Sequence, residues 1–158
     1  MYASAVGKMW SEVDRAYLAG LIDGDGCIMA TIERHREKKF GFRIRVEVKV
    51  TQKESNLLSR LSRKYKCGSV RANRTTFDWI VRDTLHVEML LHLIQPYTQS
   101  KKTQVVYALR ILHARIETKK QLVLTAQLAD ALSKCNVRSK DRRKNFATMI
   151  QDHVSSND

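Results

Sequence analysis

Residues 40–51 alternate without a break. Phe40, Phe42, Ile44, Val46, Val48 and Val50 fall on one phase, and Gly41, Arg43, Arg45, Glu47, Lys49 and Thr51 on the other. Successive side chains of a strand point to opposite sides, so this segment is a β-strand with one face in a core and the other in water. A half-wet strand of that length belongs in an antiparallel sheet with helices on one side only. No all-helical fold accommodates it.

The flanking segments complete an α+β order. Glu12 to Ile22 reads as a helix entered through Ser11, with an acidic first turn. Cys27 to Glu33 is a short strand, joined to the long one through the charged run HREKK. A helix follows over Lys53 to Tyr65, with Leu57, Leu58 and Leu61 turned inward. Gly68–Asn73 and Phe77–Arg82 form a second strand pair about a turn near Arg74-Thr75. Val87 to Ile94 is a helix ended by Pro96, and three more helices are expected over Gln104 to Glu117, Leu122 to Ser133 and Lys140 to Val154. The expectation is one domain over 1–158: a four-stranded antiparallel sheet with a core of about 12–117 and a C-terminal helical extension of about 118–158.

Charge narrows the partners. Twenty-nine Lys and Arg against 16 Asp and Glu leave +13 on 158 residues. That self-repulsion is costly unless a polyanion or an anionic surface answers it, which argues against a monomeric enzyme for neutral metabolites. No apolar run approaches the roughly 18 residues of a membrane span, and the first residues lack a secretory apolar stretch. Cys27, Cys67 and Cys135 are odd in number and far apart, which fits an intracellular, reducing compartment.

Within the first helix, Ala16, Gly20 and Gly24 recur every fourth residue and so line one side. Such a stripe lets two helices pack backbone against backbone. Glycine in a helix interior costs about 1 kcal/mol relative to alanine, so the pattern asks for a geometric reason. Asp25 then falls at the helix C-terminus, where the dipole is already negative. A carboxylate set against exposed carbonyls suits a hard divalent cation, but Asp-Gly is also ordinary turn chemistry, and spacing alone leaves both readings open. An EF-hand is excluded: with Asp23 as loop position 1, Ile28 stands where glycine is needed and Arg34 where glutamate is needed.

Leu18 to Gly26 reads LAGLIDGDG and resembles the signature of the LAGLIDADG homing endonucleases. Val50-Thr51-Gln52-Lys53 resembles that family's strand-to-helix junction, and Gln95-Pro96-Tyr97 with Lys101 its later helix connection. The resemblance covers roughly residues 12–110 in the order αββαββα. It implies that signature helices from two halves pack at a centre where their last acidic residues meet over the scissile phosphates. The chain holds one such motif, so the second half comes from a second copy, and Ala16, Gly20 and Gly24 form the dimer interface.

By the same resemblance, Asp25 is the metal-binding carboxylate with the Gly24 carbonyl as a further ligand. Gln52 is the polar residue that holds waters beside the active site, and Lys101 is the basic residue near the catalytic water, with Lys102 as its neighbouring alternative. Asp23 caps or orients the motif. Mg²⁺ or Mn²⁺ is the implied cofactor, with Ca²⁺ binding without supporting cleavage. The strand ribbon would lie in the major groove of double-stranded DNA and present alternate side chains to base edges. These are Thr31, Glu33, Arg43, Arg45, Glu47 and Lys49 on the first ribbon and Arg71, Asn73, Thr76, Asp78 and Ile80 on the second. Arg34, His35, Arg36, Lys38 and Lys39 would reach the distal part of each half-site, and Arg138, Lys140, Arg142 and Arg143 the phosphates. The implied function is a metal-dependent double-strand break at a long pseudo-palindromic site, promoting intron homing. An intron-RNA maturase and an inactive DNA-binding regulator are the alternatives. A chloroplast or mitochondrial intron reading frame is the family's expected setting.

Overall fold

The alternating segment is the spine of the sheet. The computed structural model describes residues 9–136 and 145–155. Its elements run α1 (Glu12–Asp25), β1 (Gly26–Arg34), β2 (Phe42–Gln52), α2 (Ser55–Tyr65), β3 (Ser69–Asn73), β4 (Thr76–Val81), α3 (Thr84–Ile94), α4 (Lys102–Leu112), α5 (Lys119–Asn136) and α6 (Phe146–Ser155). The αββαββα order and the antiparallel sheet agree with the sequence expectation. The strands stand in the order β1-β2-β4-β3, so the two hairpins meet where β2 pairs with β4.

One side of the sheet is dry. Ile28 and Ala30 of β1, Val46, Val48 and Val50 of β2, and Trp79 and Val81 of β4 are all buried. Helices α1 to α5 pack over them, and α6 packs on α5. Trp79 donates its indole N–H to the Cys67 carbonyl at 2.9 Å, which satisfies its one polar atom inside the core. Tyr65 stacks between Trp79 and Trp10, with ring centroids at 6.2 and 5.4 Å, and so ties the entry to α1 to the second hairpin.

Several helix ends differ from the sequence expectation, each for a capping reason. Helix α3 starts at Thr84 rather than Val87 because the Asp83 carboxylate accepts the His86 amide at 3.1 Å. Helix α4 stops at Leu112 rather than Glu117, and a new N-terminus forms instead. There the Thr118 hydroxyl accepts the Gln121 amide at 3.1 Å while Gln121 Oε1 accepts the Thr118 amide at 2.9 Å. Helix α6 begins at Phe146, where the Asp130 carboxylate of α5 accepts the amides of Phe146 and Ala147. The earlier part of the expected 140–154 helix lies outside the described residues.

Candidate active site and nucleic-acid interface

Helix α1 is built to be held at one end and bare along one side. Ser11 and Asp14 form a reciprocal cap at its start, each side chain bonding the other's backbone. Leu18, Ala19 and Ile22 face the chain's own core. The opposite side carries Ala16, Gly20 and Gly24 in the open, flanked by Val13 at 77% and Tyr17 at 53% exposure. A side-chain carbon placed on Gly20 or Gly24 would meet nothing within 4 Å. The described residues therefore give no steric reason for either glycine, and the bare apolar stripe is a face without a partner among them.

Gly26 is different. A Cβ there would lie 2.7 Å from Ile22 Cα and 2.8 Å from the Ile22 carbonyl oxygen. The amide of Gly26 donates to that same carbonyl, so the helix passes directly into β1 with no linker. This tight seam fixes Asp25 at the junction of α1 and the sheet.

The sheet register then delivers its partner. Gly26 stands opposite Val50, so β2 runs two residues past the start of β1 and sets Gln52 beside the last turn of α1. Gln52 Nε2 donates to Asp25 Oδ2 at 2.7 Å. Its polar group in an otherwise apolar phase is thus explained: the strand has left the core by that point.

Asp23 faces the other way. Its carboxylate accepts the Thr98 hydroxyl, the Gln99 amide at 2.6 Å and the Ser100 amide at 3.3 Å. Burial pushes this carboxyl up, but the bonds from Gln99, Thr98 and Ser100 outweigh it and hold the pKa below its ordinary value. The loop after α3 is thereby clamped to α1. At its end Lys101 donates Nζ to the Asp23 carbonyl at 2.9 Å. Lys102 instead lies on the outer face of α4, beside Thr103, Val106, Tyr107 and Arg110. Of the two lysines, Lys101 is the one turned to the signature helix.

Asp25, Gln52 and Lys101, distant in sequence, converge on the end of α1. Gln52 is the one described residue that hydrogen-bonds the exposed Asp25 carboxylate, which leaves oxygen capacity for a hard divalent cation. The donor chemistry fits Mg²⁺, with Asp25 and the Gly24 carbonyl as candidate ligands. One carboxylate per chain is a meagre ligand set, however, for an ion that takes six oxygens.

The wet face of the sheet gathers the strand residues singled out above. Thr31 stands opposite Arg45, and Glu33 opposite Arg43. Lys49 lies opposite Ile80, Thr51 opposite Asp78, Arg71 opposite Asp78 and Asn73 opposite Thr76. All share one side. Two of the acids are not free upon it. Asp78 is 5% exposed and accepts Thr51 Oγ1 at 2.6 Å and Asn73 Nδ2 at 2.9 Å, with Lys49 Nζ at 3.9 Å. Glu47 is 9% exposed and accepts Arg82 Nε at 2.7 Å. Glu33 meets Arg45 Nη2 at 3.1 Å, and Arg45 Nε is buried without a hydrogen-bond partner.

Sequence patterning alone does not single out Arg82, although it continues the phase of Asp78 and Ile80. Nor does it single out Thr98, Gln99 and Ser100, because nothing local marks a loop as the holder of Asp23. In the connection between β1 and β2, Gly41 takes a positive φ of 73° and its amide donates to the Lys38 carbonyl. Arg34, Arg36 and Lys38 project there, His35 is half-buried, and Lys39 is drawn back onto the Glu117 carbonyl at 3.0 Å. Arg138, Lys140, Arg142 and Arg143 lie outside the described residues. No helix among the described residues is long and apolar enough to cross a membrane.

Comparison with known proteins converges on one group. A family model for LAGLIDADG endonucleases matches residues 18–111. The DNA endonuclease I-CreI of Chlamydomonas reinhardtii is 32% identical over 98 residues, covering 61% of this chain and 60% of that protein. The DNA endonuclease I-CvuI of Chlorella vulgaris is 32% identical over 120 residues, covering 73% and 74%. A crystal structure of the homing endonuclease I-CvuI with its target in the presence of Ca superposes with a TM-score of 0.81 at 25% identity, over 92% of this chain and 94% of that one. The archaeal intron-encoded homing endonuclease I-Vdi141I, complexed with DNA, shares the fold with a TM-score of 0.78 at 18% identity, over 92% and 96%.

Proposed function

The chain belongs to the LAGLIDADG endonuclease family, and on that footing we propose that it makes a site-specific, metal-dependent double-strand break in DNA as a homodimer. The observation that carries the reading is the bare Ala16, Gly20 and Gly24 side of α1, ending in an Asp25 held by Gln52. Two copies pairing through that side bring two carboxylates to one axis. Together they supply the oxygen ligands that one chain lacks, and a cation between them offsets their repulsion.

Asp25 and the Gly24 carbonyl would hold Mg²⁺ or Mn²⁺. Such an ion, when bound, favours an ionised attacking water and stabilises the leaving oxygen of a phosphodiester. Gln52 fixes the rotamer of Asp25 and, through its amide, helps order water beside it. Lys101, anchored on the Asp23 carbonyl, supplies positive charge where negative charge grows. Asp23 serves as a clamp that sets the loop carrying Lys101. No protein nucleophile is required.

The sheet face supports a duplex partner. A two-hairpin ribbon that presents Arg43, Arg71 and Asn73 suits the major groove, where Arg reads guanine and Asn reads adenine. The wider charge of +13 per chain, doubled in a dimer, suits the phosphates. A two-fold assembly implies a pseudo-palindromic site, as intron homing would use in an organellar genome. The Chlorella relative was crystallised with a DNA target in the presence of Mg, with the DNA not cleaved, and of Ca, which supports divalent-metal use here. Asp25, Gln52 and Lys101 standing together favour cleavage over an RNA maturase or an inactive regulator.

The test is a cleavage selection from a randomised duplex library with Mg²⁺, followed by sedimentation of the protein on the selected DNA. The expected result is a paired cut at the centre of a two-fold sequence by two chains. Selected DNA that is bound but never cut, or a single chain on the site, would overturn the reading.

A further inference from the structure

At the end of α4 remote from Lys101, three ligand-bearing side chains converge. Glu88 and His92 stand one turn apart on α3, and His113 follows the last residue of α4. His113 Nε2 lies 2.6 Å from Glu88 Oε1, and His92 Nε2 lies 3.7 Å from that same oxygen. The ligand atoms of all three fall within 4.8 Å of one another, and the two rings are near-parallel with centroids 6.4 Å apart.

We propose that Glu88, His92 and His113 form a transition-metal site, with Zn²⁺ as its ion, separate from the centre at Asp25. A plain ion pair needs one imidazole for one carboxylate. Here one imidazole Nε2 is hydrogen-bonded to the Glu88 oxygen and a second lies 3.7 Å from it, so a cation placed among the three replaces both contacts at once. Tetrahedral zinc with bonds of about 2.0–2.1 Å sets its ligands about 3.3 Å apart, so the 2.6 Å contact opens and the wider ones, all within 4.8 Å, close, by side-chain shifts of at most about 1.5 Å. Two nitrogens and one carboxylate oxygen select zinc, copper or nickel over magnesium, because hard ions avoid imidazole.

The surroundings favour a cation. His92 is in the last turn of α3 and His113 caps the end of α4, so both helices turn their negative dipole ends toward the site. The residues are partly exposed, at 32% for Glu88, 39% for His92 and 55% for His113, which gives an ion a way in and leaves a fourth position for water. The site is distinct from the catalytic one by the length of α4, about 16 Å for its 11 residues. Bound there, the ion joins the ends of two helices whose other connection is the Asp23-clamped loop. Its role is to brace the frame that carries Lys101.

The experiment titrates the untagged full chain with Zn²⁺ against a chromophoric chelator, in excess Mg²⁺ so that the Asp25 centre does not compete. One Zn²⁺ per chain is expected, with Tm rising by about 5–10 °C at a hundredfold excess over Kd. His92→Ala and His113→Ala should each weaken binding at least about tenfold, whereas Asp25→Asn and Cys135→Ser should not. The Co²⁺-substituted chain should show visible ligand-field bands with no thiolate charge-transfer band. Both histidines are exposed enough that circular dichroism should find their variants folded. No binding by about 100 µM Zn²⁺, or binding that both histidine variants retain, overturns the assignment.

Discussion

Gln52 Nε2 donates to Asp25 Oδ2 at 2.7 Å, across 27 residues of chain, because the register of β1 on β2 sets the end of one strand beside the end of α1. On the proposed reading the glutamine orients and the carboxylate holds the metal. The two substitutions should therefore separate. Asp25→Asn is expected to lower cleavage of supercoiled target by at least about 10²–10³ while DNA affinity stays within a few-fold. Gln52→Ala should cost about 10–100-fold and be partly recovered at high Mg²⁺. Near-wild-type cutting by Asp25→Asn would remove Asp25 from the centre.

Gly20 and Gly26 should give opposite results. Gly20 has open space around it, so Gly20→Leu is expected to leave the isolated chain as stable or up to about 1 kcal/mol more stable, while abolishing pairing on DNA. Gly26→Ala puts a methyl within 2.8 Å of Ile22 backbone atoms and should destabilise the chain by about 1–3 kcal/mol. Urea melts and sedimentation equilibrium check both. A Gly20→Leu chain that still pairs would show that α1 does not form the interface.

Asp23 makes the clamp acid-sensitive. Its pKa in the folded chain lies below the ordinary 3.8, so its stabilisation is fully present above about pH 4 and disappears as pH falls through the lower folded value. Asp23→Ala is accordingly expected to cost about 1–3 kcal/mol at pH 7, with the gap to wild type narrowing below pH 4. Denaturant melts at pH 7 and pH 3 measure it. An equal gap at both values would mean that the Gln99 and Ser100 amides do not depend on the charge of Asp23.

Binding should also carry the signature of many neutralised phosphates. Log affinity should fall linearly with log salt, and replacing an outward arginine such as Arg36 by alanine should make the slope shallower by about 0.9 for each phosphate that the side chain neutralises. Filter binding between low and physiological salt reads this directly. An unchanged slope would place Arg36 away from the DNA backbone.

Much of the fold is legible in the sequence, for physical reasons. The two-residue period over 40–51 points to a half-wet strand, and β2 follows it from Phe42. Phe40 and Gly41, in the same pattern, fall in the turn before it because Gly41 takes a positive φ. The small-residue stripe is legible as one side of α1, and the structure leaves that side bare at Gly20 and Gly24. What escapes such reading depends on long-range closure. The loop residues Thr98 to Ser100 look like any polar connection until Asp23 is brought to them. Apolar periodicity misplaces the start of α3 and the end of α4, although Asp83 and the Thr118 to Gln121 pair carry capping signals. Glu47 and Asp78 look like outward, solvated acids. Only the register shows that neighbouring strands supply donors that enclose them.

That enclosure bears on how such a protein acquires a new target. Asp78 serves Thr51, Asn73 and Lys49 at once, and Glu47 anchors Arg82. Replacing Asp78 releases donors at three positions together, and replacing Glu47 frees Arg82. On the proposed reading of this face, a lineage drifts between DNA sequences by exchanging small blocks of residues, not single letters, and an engineer retargeting it should randomise Lys49, Thr51, Asn73 and Asp78 as one unit.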